Sequence, residues 1–255
     1  MRGLQTLLAG PLVAASLALF IGNAAAEPLR YCVEADLPPF SYKTAAGGVE
    51  GFDVDFATAL CSKIGMECQP VIQEWTGIIP ALYAGKCDTI ISSMTITPER
   101  RQKVLFTDPY YKTPWAFIGR KGLDMKMTPE GLKGRTLCMF KNSGGLRYLA
   151  ENLKDVPIKF YDGADAIRTD LIAQRCDGWL EQMPIVYGSI MGRPESKDFE
   201  MIGELRIGEG VGIAVKSDDK ELGGKLNEGV KAVYADGTFQ KLNEKYFPFS
   251  LSRDK

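Results

Sequence analysis

The chain of 255 residues carries 31 Lys and Arg against 32 Asp and Glu, and it has no His. That near-neutral balance argues against nucleic acid as a partner, and the missing His removes the commonest general base and zinc ligand. Apolar residues make up 45%, an ordinary share for a chain long enough to form one large domain or two lobes.

In chain order, Arg2, an apolar stretch from Leu12 to Ile21 and the run Ala24-Ala25-Ala26 have the layout of a secretory signal peptide over residues 1–26, cleaved near Ala26 before Glu27. The apolar run is short for a membrane span. Removing a leader with one Arg and no acid leaves 30 basic against 32 acidic residues. No Cys stands at the cleavage point, so free diffusion in the periplasm is the simplest expectation.

The mature chain starts with a strand, Leu29-Arg-Tyr-Cys32-Val33. A helix follows over Phe52–Ile64, with Phe52, Phe56, Ala59, Leu60 and Ile64 on one face and Gly65 as its stop. Next come a strand over Glu67–Gln73, a helix over Gly77–Tyr83 and a strand over Asp88–Ser92. The second half repeats the plan: strand Thr136–Phe140, helix Gly145–Leu153, strand Ile158–Tyr161, helix Ala164–Ala173, strand Gly178–Leu180. A closing helical segment covers Leu222–Tyr246. The alternation predicts an α/β fold with mainly parallel sheets flanked by helices, whose ligands gather at the carboxyl ends of the strands.

An internal echo reinforces the two-part reading. Leu82-Tyr-Ala-Gly-Lys-Cys87-Asp88 resembles Leu171-Ile-Ala-Gln-Arg-Cys176-Asp177, and a Cys-bearing strand precedes each at a distance. Six cysteines in an exported chain favour disulfides. The echo predicts Cys32–Cys87 and Cys138–Cys176, each clamping neighbouring strands, with Cys61–Cys68 closing a short loop after a helix. Buried free thiols are the alternative, and a metal site would need Cys ligands of unusual spacing.

The string from Ile91-Ser-Ser-Met-Thr-Ile-Thr-Pro-Glu-Arg100 to Asp108-Pro-Tyr-Tyr111 resembles the signature of polar amino-acid-binding proteins of ABC transporters, solute-binding protein family 3, which includes lysine/arginine/ornithine and opine binders. Pro39-Phe40, Gly51-Phe-Asp-Val-Asp-Phe56, Trp75 with Ile79-Pro-Ala-Leu82, Gly131-Leu-Lys-Gly134 and Asp236-Gly-Thr-Phe239 agree in the same order. The resemblance implies a type II periplasmic binding fold of two lobes joined by two hinge crossings, near Thr113–Phe117 and Gly208–Gly212. Lobe one would comprise 27–114 and 211–255, and lobe two 115–210. It also implies a monomer that carries a small amino-acid-like solute to permease subunits, with no cofactor, no metal and no catalysis.

Arg100 stands at the family's carboxylate clamp, since a guanidinium offers two parallel donors to two carboxylate oxygens. Outside that motif Arg100 and Arg101 would be a solvated pair, and Arg101 remains a surface residue. Ser93 and Thr95 can add hydroxyl and backbone donors. In the second half, Ser143 and Gly144 form a strand-to-helix loop able to aim N–H groups at an anion; an ordinary helix cap is the competing reading. Trp75 aligns with the large side chain that packs one side of the ligand and Leu37 with the other, usually aromatic, position; Phe140 ends the Cys138 strand beside them. Gln182 replaces the Asp that usually pairs with a ligand ammonium. Glu181 lies beside it, but strand alternation turns neighbours to opposite faces. Glu34 matches an acid that reaches the distal cation in binders of basic amino acids, and could instead take the ammonium. Two other functions compete: an enzyme resembling cyclohexadienyl dehydratases, and an accessory or sensor protein resembling those associated with quinoprotein dehydrogenases.

Overall fold

The computed structural model describes residues 27–251, so the predicted leader lies outside the described residues. The chain enters through β1 (Leu29–Val33) and a small antiparallel sheet of β2 (Asp36–Leu37), β3 (Ser41–Lys43) and β4 (Val49–Glu50). It continues through α1 (Phe52–Lys63), β5 (Cys68–Ile72), α2 (Ile78–Tyr83), β6 (Thr89–Ile90), α3 (Pro98–Arg101) and β7 (Leu105–Phe106). A crossing leads to β8 (Trp115–Arg120), β9 (Leu137–Phe140), α4 (Leu146–Asn152), β10 (Ile158–Tyr161), α5 (Ala164–Ile172), β11 (Gly178–Gln182), α6 (Met183–Val186) and β12 (Phe199–Leu205). The return brings β13 (Ala214–Val215), α7 (Lys220–Ala235) and α8 (Thr238–Tyr246).

Two five-stranded sheets result, ordered β5-β1-β6-β13-β7 and β10-β9-β11-β8-β12. Read position by position they are the same sheet twice. The first three strands of each are parallel, and the last two join antiparallel. The sequence alternation anticipates the parallel half. The antiparallel half begins in each sheet with the strand that follows a crossing, β8 in one and β13 in the other.

The disulfides follow this repeat. Cys32 on β1 joins Cys87 just before β6, and Cys138 on β9 joins Cys176 just before β11. Cys61 joins Cys68, so α1 is tied to the start of β5. The Cys32–Cys87 loop spans 55 residues and the Cys61–Cys68 loop 7. Loop-closure entropy then predicts a stability loss of about 4 kcal/mol for Cys32→Ala with Cys87→Ala, against roughly 2 kcal/mol for Cys61→Ala with Cys68→Ala. Denaturant titration of the two double variants measures the difference.

Apolar spacing drives α1 into place: Phe52, Phe56 and Leu60 recur one turn apart and are fully buried, while Asp53 and Asp55 suit the positive end of its dipole. Phe56 stacks on Tyr110 at 4.5 Å, and Phe52 meets Phe40, Tyr111, Phe239 and Phe247 edge-on. The closing segment therefore does pack onto the first sheet's helices. It is two helices rather than the single stretch expected, because Gly237 takes the left-handed conformation, φ 75°, and turns the chain.

Candidate functional site

The carboxyl ends of β1, β6, β9 and β11 converge on a cleft between the two sheets. All ten side chains or backbone positions singled out from the sequence line it, and Ser92, Glu181 and Ile185 line it too.

One wall is built around Arg100. Thr97 caps α3, its hydroxyl accepting from the Arg100 N–H at 3.3 Å, and Pro98 begins the helix. The guanidinium donates to the Thr95 carbonyl and to the Asn142 carbonyl, both at 2.8 Å, and lies 5.0 Å from the Trp75 ring centre. Among the described residues no carboxylate lies within ion-pair distance of it. Burial lowers its pKa to about 10, with Glu181 and Glu99 opposing, so it is a cation at neutral pH. Arg101, by contrast, donates twice to Glu209 on the exposed surface.

Two acids also line the cleft. Glu34 is buried at the end of β1, its backbone N–H donating to the Ser92 hydroxyl at 3.0 Å. Burial, reinforced by Asp36, Glu74 and Glu181, raises its pKa to about 8. Glu181 accepts from the Ser143 hydroxyl at 3.1 Å and from the Gln182 backbone N–H at 2.9 Å. Burial raises it to about 7, against the pull of those two bonds and of Arg100.

Gln182 reaches across the cleft. Its Nε2 donates to the Ser93 carbonyl and the Thr95 hydroxyl, both at 3.0 Å, and its Oε1 accepts from the Tyr111 hydroxyl at 3.3 Å. Apolar walls come from Leu37, Trp75, Phe140 and Ile185, with Phe140 edge-on to Trp179 at 5.7 Å. Gly144 stands so close to Thr95 and Trp115 that a Cβ would lie 3.3 Å from each, which lets the second lobe's loop press against the first lobe's.

Two expectations need correction. Ser93 does not offer its donors to the cleft: its hydroxyl donates to the fully buried Asp53 at 2.8 Å, and its N–H donates to the Tyr110 hydroxyl at 3.2 Å. What it turns toward Gln182 is its carbonyl. Glu181 does not face away from Gln182's side: both line the cleft, because β11 ends there and Gln182 already turns (φ −51°, ψ 134°) into α6. Strand alternation lapses where the strand stops. The signal available in sequence was an acid closing an otherwise apolar strand. As for the 142–145 loop, Ser143 accepts from the Gly145 N–H at 3.2 Å and donates to Glu181, so the hydroxyl ties the loop to β11 rather than capping α4.

Residues 29–249 match the bacterial extracellular solute-binding proteins, family 3. The chain belongs to this family. Within family 3 it is 37% identical to the L-arginine-binding protein of Pseudomonas aeruginosa, over 89% of this chain and 91% of that one. It is 36% identical to ABC transporter arginine-binding protein 1 of Escherichia coli, over 92% and 98%. Among solved structures, an ancestral arginine-binding protein bound to arginine aligns with a TM-score of 0.79 and 34% identity, over 86% of this chain and 98% of that one. The architecture is the two-lobe type II fold of this solute-binding family, with the cleft where its sheets face each other.

Proposed function

We propose that this family 3 protein is the periplasmic binding component of an ABC importer and that its solute is an amino acid with a cationic side chain. One observation carries the reading. The cleft holds a guanidinium with no carboxylate partner together with two buried carboxylates, Glu34 and Glu181, that form no ion pair with a cation. An amino acid bearing one carboxylate and two cationic groups balances all three, and buried charges require such pairing.

In this reading Arg100 holds the carboxylate through its remaining N–H donors. Leu37, Trp75, Phe140 and Ile185 enclose the aliphatic stem, and Glu34 and Glu181 take the two cations. The lobes are 27–114 with 211–255, holding β1, β5, β6, β7 and β13, and 115–210, holding β8 to β12. The mature chain acts as a monomer after its leader is cleaved near Ala26, and hands the solute to permease subunits when the hinge opens. Binding rather than catalysis is supported by the binding-protein relatives and by the absence of any His to activate the cleft hydroxyls.

The test is a thermal-shift screen of ligand-stripped mature protein against cationic, neutral and acidic amino acids, opines and small carboxylates. Cationic amino acids should stabilise it most. Stabilisation confined to acidic or uncharged solutes would refute the assignment.

A further inference from the structure

Positions 181 and 182 present adjacent side chains with different bonding partners. Glu181 is held wholly by its own lobe, through Ser143 and the Gln182 backbone N–H. Each of its oxygens accepts one bond and retains capacity for another. Gln182 is bonded by its side chain wholly to the other lobe, through the Ser93 carbonyl, the Thr95 hydroxyl and the Tyr111 hydroxyl. Both amide hydrogens and one lone pair of its oxygen are in use, and it is 4% exposed.

We propose that Glu181 receives the solute's α-ammonium, while Gln182 is a neutral latch that draws the lobes together before any solute arrives. The first half rests on the function proposed above; the second rests on the cross-lobe bonds alone. An α-ammonium sits one carbon from its carboxylate, so its acceptor must be the acid nearest the carboxylate clamp. Glu181 is that acid: it is bonded to Ser143, the residue that follows Asn142, whose carbonyl accepts from the Arg100 guanidinium, whereas Glu34 stands at the end of β1 beside Ser92. Glu34 is left for the distal cation.

The latch requires an amide. A carboxylate at 182 could not donate to the Ser93 carbonyl and would set a negative charge against it. The other side-chain hydrogen bonds between the lobes are weaker candidates for this task. Arg147 pairs with Glu99 at 3.1 Å, but both side chains are exposed, where such pairs contribute little. Arg100 donates to the Asn142 carbonyl, but Arg100 is committed to the solute.

The two roles leave different signatures. A latch raises the fraction of binding-competent closed protein, so removing it weakens every solute by one common factor. Loss of an ammonium acceptor weakens only solutes that carry the ammonium. The experiment measures affinities of E181Q, Q182A and Q182E for L-arginine and for 5-guanidinopentanoate, which lacks the α-amine, together with small-angle scattering of each protein without solute.

E181Q should weaken L-arginine roughly tenfold or more relative to 5-guanidinopentanoate, with scattering like wild type. Q182A and Q182E should weaken both probes alike and expand the solute-free protein. The proposal is overturned if Q182A selectively weakens L-arginine with no expansion, or if E181Q weakens both probes equally. Should neither probe bind wild type, the proposed function fails and takes the Glu181 role with it. Scattering then decides the latch by itself: expansion of Q182A upholds it, and superimposable curves refute it.

Discussion

Replacing Arg100 with Ala is expected to weaken solute binding by roughly 30-fold to several thousand-fold, the equivalent of about 2–5 kcal/mol for stranding a buried charge without its partner. The guanidinium has five N–H donors, and the two used by the Thr95 and Asn142 carbonyls leave three for a carboxylate. The guanidinium also lies over the Trp75 ring, 5.0 Å from its centre, in a cation–π contact. Arg100→Lys keeps the charge but loses the planar pair of donors, so it should recover only part of the affinity. Arg101→Ala is the internal control. Its partner Glu209 is exposed on the surface, and its removal should leave affinity unchanged and shift stability by less than about 1 kcal/mol. Calorimetric titration of the three variants measures the series, and equal losses for Arg100→Ala and Arg101→Ala would refute the clamp.

The second large effect is on pH. Burial raises the cleft acids Glu34 to about 8 and Glu181 to about 7, and raises Asp53 of α1 to about 7. Each is therefore raised above its unfolded value, and the folded state holds more protons than the unfolded chain between those limits. Stability from these groups is fully present below the unfolded values and is lost as pH rises through about 7 to 8. A bound cation reverses the preference at Glu34 and Glu181, favouring the carboxylate form. Binding at neutral pH must then release protons, and affinity must fall as pH drops below about 8, by up to roughly tenfold per pH unit for each group that ionises on binding. Two trends follow with opposite signs. The melting temperature of solute-free protein should decline from about pH 5 to about pH 8, while the stabilisation added by a fixed solute concentration should grow. Titrations in buffers of different ionisation enthalpy count the protons directly; uptake instead of release would contradict the cleft's acidic assignment.

Much of this was legible in the sequence for identifiable reasons. Periodicity and the two Cys-Asp echoes expose the repeated α/β plan, since a strand that starts with a disulfide leaves a local signature. The carboxyl ends of β1, β6, β9 and β11 carry the cleft residues because loops there are free to vary without disturbing the sheets. Three features were hidden. The two-residue strands β7 and β13 are too short to show an alternation. Asp53 reads as an ordinary first-turn helix acid, although it is fully buried and holds the Ser93 and Tyr110 hydroxyls; its partners lie 40 and 57 residues away. Gln182 reads as a lost charge, and its three partners come from segments far earlier in the chain. In each case the missing information was tertiary, a partner that no local pattern encodes.

The central claim is that the cleft selects a solute with a cationic side chain, and one comparison tests it most directly: thermal unfolding of ligand-stripped mature protein with L-arginine and with L-citrulline, whose side chain has similar shape without the charge. At about a hundred times its dissociation constant L-arginine should add roughly 2.7 kcal/mol, and L-citrulline at the same concentration should add far less, because it leaves Glu34 unpaired. Equal stabilisation by the two, or stabilisation by L-citrulline alone, would contradict the account.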